Sequence, residues 1–234
     1  MEHIHTIPVL DALRNPEGCA FCVMFSKLEN DAINFMMGPS YMEEDVRMAT
    51  NKTGFCKRHM EAMYKHQNRL GLALMLHSHL QKLNQDTVNI IQNRTPVSFF
   101  RKDPANSVTK LKNHLQSTVE SCYVCTKIET TAERYIDTFF YLWGRGGEEK
   151  RLIESQKSYC LPHLIDLLAK LDKISKREKF IDHLMPMIKL SLAEIEGDLE
   201  WFIQKFDHQN ANEPWKNSKD ALPRAIALLG GGTL

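Results

Sequence analysis

Apolar residues recur along most of the chain at steps of three and four, the spacing that gathers them on one face of an α-helix. Between Cys56 and Asn93 the positions Met60, Met63, Tyr64, Leu70, Leu74, Leu80, Leu83, Val88 and Ile91 make such a stripe. It predicts one long helix, with Gly71 as its point of interruption. A second stripe of Ile188, Leu192, Ile195, Leu199, Phe202 and Phe206 predicts a helix over 187–206. Shorter helices are predicted at 20–37, 42–50, 107–120, 123–142, 147–157, 161–172 and 176–184. Sustained apolar–polar alternation is absent, and no Asn-Gly or Asp-Gly turn joins β-branched runs. The pattern predicts an all-α protein.

The stretch Thr95–Asn106 holds two prolines and no period, which predicts a linker. On either side of it the chain repeats itself. The first copy reads Cys19-Ala-Phe-Cys22, then thirty-three residues, then Cys56-Lys-Arg-His59; the second reads Cys122-Tyr-Val-Cys125, thirty-four residues, and Cys160-Leu-Pro-His163. All six cysteines fall in this pattern. An aromatic residue precedes each third cysteine (Phe55, Tyr159), an apolar one follows each histidine (Met60, Leu164), and Ile33 and Ile136 share an offset after their CxxC pairs. The domain organisation expected is two internally duplicated helical halves, 1–94 and 107–209, joined by the linker 95–106 and followed by a C-terminal strap with a short helix over 210–234.

A CxxC turn presents two thiolates on one side of a knuckle, and Cys-x-x-His opening a helix puts sulfur and imidazole on one face at i and i+3. Three thiolates and one imidazole complete the tetrahedral shell that zinc accepts, with no open position. Helix starts favour thiolates through their unpaired N–H groups, and proline is tolerated there, as at Pro162. Read copy by copy, each half offers its own Cys3His set: Cys19, Cys22, Cys56 and His59 in the first, and Cys122, Cys125, Cys160 and His163 in the second. Two structural Zn2+ ions per chain are expected. The alternative use of the same cysteines is iron–sulfur ligation or thiol redox chemistry; a thioredoxin-like CxxC needs a βαβ context that the pattern does not offer.

Charge and composition narrow the function classes. The 234 residues carry 30 Lys+Arg against 29 Asp+Glu, a net charge of +1, which argues against an electrostatically driven nucleic-acid partner. The N-terminus shows no basic segment followed by an apolar run, so a cytoplasmic address is expected. The apolar run Leu70–Leu80 contains two histidines and is shorter than the roughly 20 residues of a membrane span. No phosphate loop, dinucleotide fingerprint, nucleophile elbow or His-Glu-x-x-His motif is found.

Other residues take plainer readings. His66, His77 and His79 read as core or surface histidines, and His3 and His5 as terminal residues open to adventitious metal. Glu129 and Glu133 share a helix face as a candidate carboxylate pair, but Ser26 and Asn30 occupy the equivalent places in the first copy, which favours a solvated face. The eleven methionines suit adaptable core packing. In the tail, Ser218 is placed to cap a last short helix, and a strap is expected to lay Trp215 and Leu222 on the bundle. Asp207, His208, Lys216, Lys219, Asp220 and Arg224 form the competing polar surface, the place for an enzyme site in a cleft between the halves. The favoured expectation is a binding protein that holds a protein partner or a small ligand.

The paired CxxC and CxxH copies, together with the ending Pro-Trp-Lys-Asn-Ser-Lys-Asp-Ala-Leu-Pro-Arg-Ala-Ile, resemble the bacterial domain of unknown function 6062 family over nearly the whole chain. The resemblance implies a bacterial cytoplasmic protein with metal ligands at the eight Cys and His positions named above, and it implies no catalytic residue.

Overall fold

The computed structural model describes residues 4–15, 18–92, 104–174 and 177–232. Among them are eleven α-helices and no strand. In chain order these are α1 (Thr6–Leu13), α2 (Ala20–Met37), α3 (Glu44–Thr53), α4 (Lys57–Lys65), α5 (Arg69–Gln92), α6 (Pro104–Glu120), α7 (Tyr123–Arg145), α8 (Gly147–Glu154), α9 (Leu161–Lys170), α10 (Arg177–Gln204) and α11 (Ala221–Gly230). The predicted linker lies, over 95–103, outside the described residues, and its last three residues open α6.

Three differences from the periodicity have physical causes. The long first-half stripe divides into α4 and α5 at residues 66–68, where the Asn68 side chain accepts the Gly71 N–H at 2.9 Å and caps the new helix. Gly71 lies inside α5, and the buried face of that helix is Gly71, Leu72, Met75 and Ser78; Leu70 and Leu80 point to solvent. The helices expected at 176–184 and 187–206 are a single one, α10, which runs through Pro186. A proline inside a helix costs about 3 kcal/mol, and here Phe180, Leu184 and Met187 bury their side chains on both sides of it. On the distal part of the same stripe Leu192 and Phe206 are exposed.

The chain forms two compact units: Met1–Lys27 with Ala132–Leu234, and Leu28–Thr131. Both boundaries fall inside helices, α2 and α7. Each unit therefore takes material from both sequence copies. The first has an aromatic core in which Phe139 packs against Phe21, Tyr159, Phe140 and Phe180 at ring separations of 5.1 to 6.0 Å, with Trp143 on Phe180 at 5.0 Å. The second is methionine-rich: Met36, Met37, Met63 and Met75 close around Val46, Phe55, Leu72 and Val124. The methionines are core here, as their number suggested.

Candidate metal centres

Each of the four cysteine motifs stands at the start of a helix. Cys19 precedes α2, Cys56 precedes α4, Cys122 precedes α7 and Cys160 precedes α9, so each motif sits at the positive end of a helix. Cys56 and Cys160 have nearly the same extended backbone, with ψ of 160° and 155°. In the second CxxC the Cys125 N–H points at Cys122 Sγ, 3.5 Å away. Gly54 sets up the first CxxH. Its φ of 60° with ψ of −153° is open to glycine, and a Cβ there would sit 2.6 Å from His79 Nε2. The turn also lets the Gly54 carbonyl accept the Tyr123 N–H at 3.0 Å and the Thr53 carbonyl accept the Ser121 hydroxyl at 2.6 Å. These two bonds tie the first copy's CxxH turn to the second copy's CxxC knuckle.

The ligand sets follow that tie. Cys56 and His59 meet Cys122 and Cys125 in the unit Leu28–Thr131, and Cys19 and Cys22 meet Cys160 and His163 in the other unit. All eight predicted residues are used, but the grouping expected copy by copy is overturned: every CxxC pairs with the CxxH of the other copy. The contacts that hold this pairing are the bonds from the Tyr123 N–H and the Ser121 hydroxyl to the carbonyls of Gly54 and Thr53, which keep the first copy's CxxH turn against the second copy's CxxC.

In each set one ligand atom per residue lies within 4.8 Å of the others. A tetrahedral zinc with Zn–S of about 2.3 Å and Zn–N of about 2.05 Å requires S···S of about 3.8 Å and S···N of about 3.5 Å. Cys56 Sγ and Cys125 Sγ are 3.8 Å apart, and His59 Nδ1 is 3.3 Å from Cys56, 3.3 Å from Cys122 and 3.4 Å from Cys125. In the other set Cys22 and Cys160 are 3.5 Å apart, and His163 Nδ1 is 3.6, 3.4 and 3.0 Å from Cys19, Cys22 and Cys160. The donor sets fit one tetrahedral ion each.

The surroundings of the sets differ. His59 is fully buried; its outer nitrogen Nε2 lies 3.0 Å from Glu29 Oε1 and 3.3 Å from Arg58 Nη2, while Nδ1 faces the sulfurs, the arrangement of a metal-binding histidine backed by a carboxylate. Glu29 also pairs with Arg58 at 3.4 Å. His163 instead lies edge-on to Phe25 at 4.6 Å and against Phe21 at 5.8 Å. Over that set the chain end folds down: the Gly232 N–H donates to Cys22 Sγ at 3.1 Å. Gly231 allows this approach through its φ of 74°, a backbone conformation that residues with a side chain rarely adopt.

Without an ion the thiols of each set share protons. Hydrogen bonds from Cys160 and Cys19 hold Cys22 far below the ordinary thiol range, while its contacts with Cys160 and Cys22 push Cys19 up. Burial lowers His163, but the sulfurs of Cys160 and Cys22 outweigh it and raise the imidazole to about 9. In the other set, burial raises Cys56 but the His59 N–H, the neighbouring thiols and Arg58 bring it below its usual value. Burial and Cys122 push Cys125 up to about 12. Burial, with Arg58 adding to it, lowers His59, so this histidine is neutral and ready to ligate.

The remaining candidates are placed elsewhere. Glu129 and Glu133 lie on an exposed helix face. His66 accepts the Asn68 N–H, His79 Nδ1 lies 2.9 Å from the Asn51 carbonyl, and His77 is exposed; none joins a ligand set. His5 packs on Tyr135, and His3 lies outside the described residues. The tail is a strap: Trp215 packs on Phe202 at 5.8 Å, and Trp201 donates to the Pro214 carbonyl. The buried Lys205 ammonium binds the carbonyls of Asn210, Ala211 and Glu213. Leu222 is exposed, contrary to expectation, and Ala221, Ala225 and Leu228 are the residues α11 buries. Ser218 opens a short 3-10 turn ahead of α11, with its hydroxyl bonded back to the Trp215 carbonyl. Asp207 pairs with its exposed neighbour His208, and Arg224 pairs with Asp198 and Asp220. Lys216 lies over the Trp201 ring, and Lys219 is exposed.

Glu29, Arg58 and Gly232 are the site residues that sequence reasoning missed. Glu29 stands seven residues after Cys22, and its counterpart in the second copy is Ala132, so comparing copies hides it. No curated protein and no solved structure matches this chain. The chain belongs to the family of unknown function DUF6062, whose model matches residues 1–234.

Proposed function

We propose that this protein binds two zinc ions in structural roles and that its task is recognition of a protein partner or a small ligand, not catalysis. The observation that carries the reading is the spacing within each set: three sulfurs and one imidazole nitrogen within 4.8 Å of one another. That spacing suits a single ion, whereas an iron–sulfur cluster spreads its ligand atoms around a body of several metal and sulfide atoms. Four protein ligands fill the shell of zinc and leave no position for a substrate, which is how structural zinc differs from catalytic zinc. When bound, the ion would neutralise the thiolates and clamp the starts of α2 and α9 in one unit and of α4 and α7 in the other.

A reducing compartment, the bacterial cytoplasm, belongs to the same reading, because six unpaired thiols serve as ligands only while reduced. Among the described residues no helix is long and apolar enough to cross a membrane. The test is elemental analysis with an absorption spectrum on anaerobically purified protein. Two zinc equivalents per chain and no visible charge-transfer band are expected; a brown protein with iron and labile sulfide overturns the reading.

A further inference from the structure

The two centres share a ligand set and differ in cover. Cys19, Cys22 and Cys160 are all buried, at 8%, 5% and 2% exposure; the Phe21 and Phe25 rings pack on their partner His163, and the Gly232 N–H lies on Cys22 Sγ. In the other centre Cys122 is buried, but Cys56 and Cys125 are half-exposed, and these two are the sulfurs that lie 3.8 Å apart. Arg58, two residues from Cys56, is exposed beside them. Thiolates oxidise according to their access to the oxidant. A reagent small enough to reach the second pair finds two sulfurs in contact at 3.8 Å, whereas the closer pair of the first centre, Cys22 and Cys160 at 3.5 Å, is buried.

We propose that the centre of Cys56, His59, Cys122 and Cys125 is redox-releasable, with hydrogen peroxide oxidising Cys56 and Cys125 to a disulfide while the centre of Cys19, Cys22, Cys160 and His163 keeps its ion. The inference rests on the two-zinc reading above. The Cys56 thiolate attacks the O–O bond, forms an S–O bond and expels hydroxide; the Cys125 thiolate then attacks that sulfur, forms the S–S bond and expels a second hydroxide. Two protons from solvent convert both hydroxides to water. The two thiolates lose two electrons and the peroxide gains them. Only Cys122 and His59 remain to hold the ion, which dissociates. The disulfide then spans the same junction, from the start of α4 to the first turn of α7, that the ion had clamped.

The test is stepwise addition of hydrogen peroxide to the purified full chain, after its zinc content has been measured. Released zinc is followed with a chromophoric chelator, and thiol states are mapped by alkylation and mass spectrometry. Expected are release of one of the two equivalents, a Cys56–Cys125 disulfide, reduced Cys19, Cys22 and Cys160, and recovery of zinc binding after a dithiol reductant. A chain shortened to end at Gly230 should lose the selectivity and release both equivalents together. Simultaneous release from the intact chain, earlier loss from the Cys19 centre, or a Cys122–Cys125 bridge overturns the inference and leaves the zinc reading standing. A chain that holds no zinc before peroxide is added overturns both.

Discussion

The centre at Cys19, Cys22, Cys160 and His163 and the centre at Cys56, His59, Cys122 and Cys125 each join one CxxC to one CxxH, yet they are held in different ways. The first rests in an aromatic core and is covered by the backbone of the chain's end, so its sulfurs are buried and its histidine packs on rings. The second has a carboxylate, Glu29, fixing its histidine, and leaves two sulfurs partly open. A ligand motif specifies the coordination shell; residues outside the motif specify its access and rigidity. In a duplicated protein those outer residues can diverge while the ligands stay alike.

Removing both ions tests what the centres have in common, and has the largest expected effect. Structural zinc contributes on the order of 10 kcal/mol or more per site in small zinc peptides, comparable to the roughly 5–15 kcal/mol that stabilises a whole domain. Chelation should therefore abolish the cooperative thermal transition followed by circular dichroism. An unchanged melting curve would show that the helices pack without metal.

The pairing between copies is tested by combining substitutions. Cys56→Ala with Cys122→Ala removes two ligands of one centre and should cost one zinc equivalent, whereas Cys56→Ala with Cys19→Ala should cost both. Metal counting on the two double variants would give the opposite result if each copy closed its own site.

Smaller effects sharpen the contrast between the centres. Gly54→Ala forces a side chain into a backbone region reserved for glycine and against His79, so a loss of about 1–3 kcal/mol in denaturant unfolding is expected. Glu29→Gln removes the carboxylate behind His59 and should weaken zinc at that centre by roughly tenfold to a hundredfold in competition titrations. The other centre should be unaffected. Arg58→Ala breaks a largely exposed ion pair with Glu29 and a 3.3 Å contact with His59 Nε2, and should change stability by less than about 1 kcal/mol.

Much of this was legible in the residues. Helices α2, α7 and α9 begin where the sequence pattern predicts, because a cysteine motif or Pro162 marks each start. The boundary between α4 and α5 was less legible, since the cap at Asn68 depends on one hydrogen bond to Gly71 that periodicity does not register. The continuity of α10 through Pro186 was hidden for a similar reason: the compensation comes from Phe180, Leu184 and Met187 reaching a core whose other members are distant in sequence. Helix α1 carried too short a pattern to be recognised.

By itself the sequence determined the helical class and the eight Cys and His candidates, because periodicity and ligand chemistry are local properties written in residue type and spacing. Which ligands share an ion was decided by tertiary structure alone. Cys56 and His59 close on Cys122 and Cys125 where the Gly54 and Thr53 carbonyls bond the Tyr123 N–H and the Ser121 hydroxyl, groups distant in sequence that only folding brings together. The exposure of Cys56 and Cys125, the Glu29 contact and the Gly232 cover were decided there as well, since each depends on segments that only folding brings together.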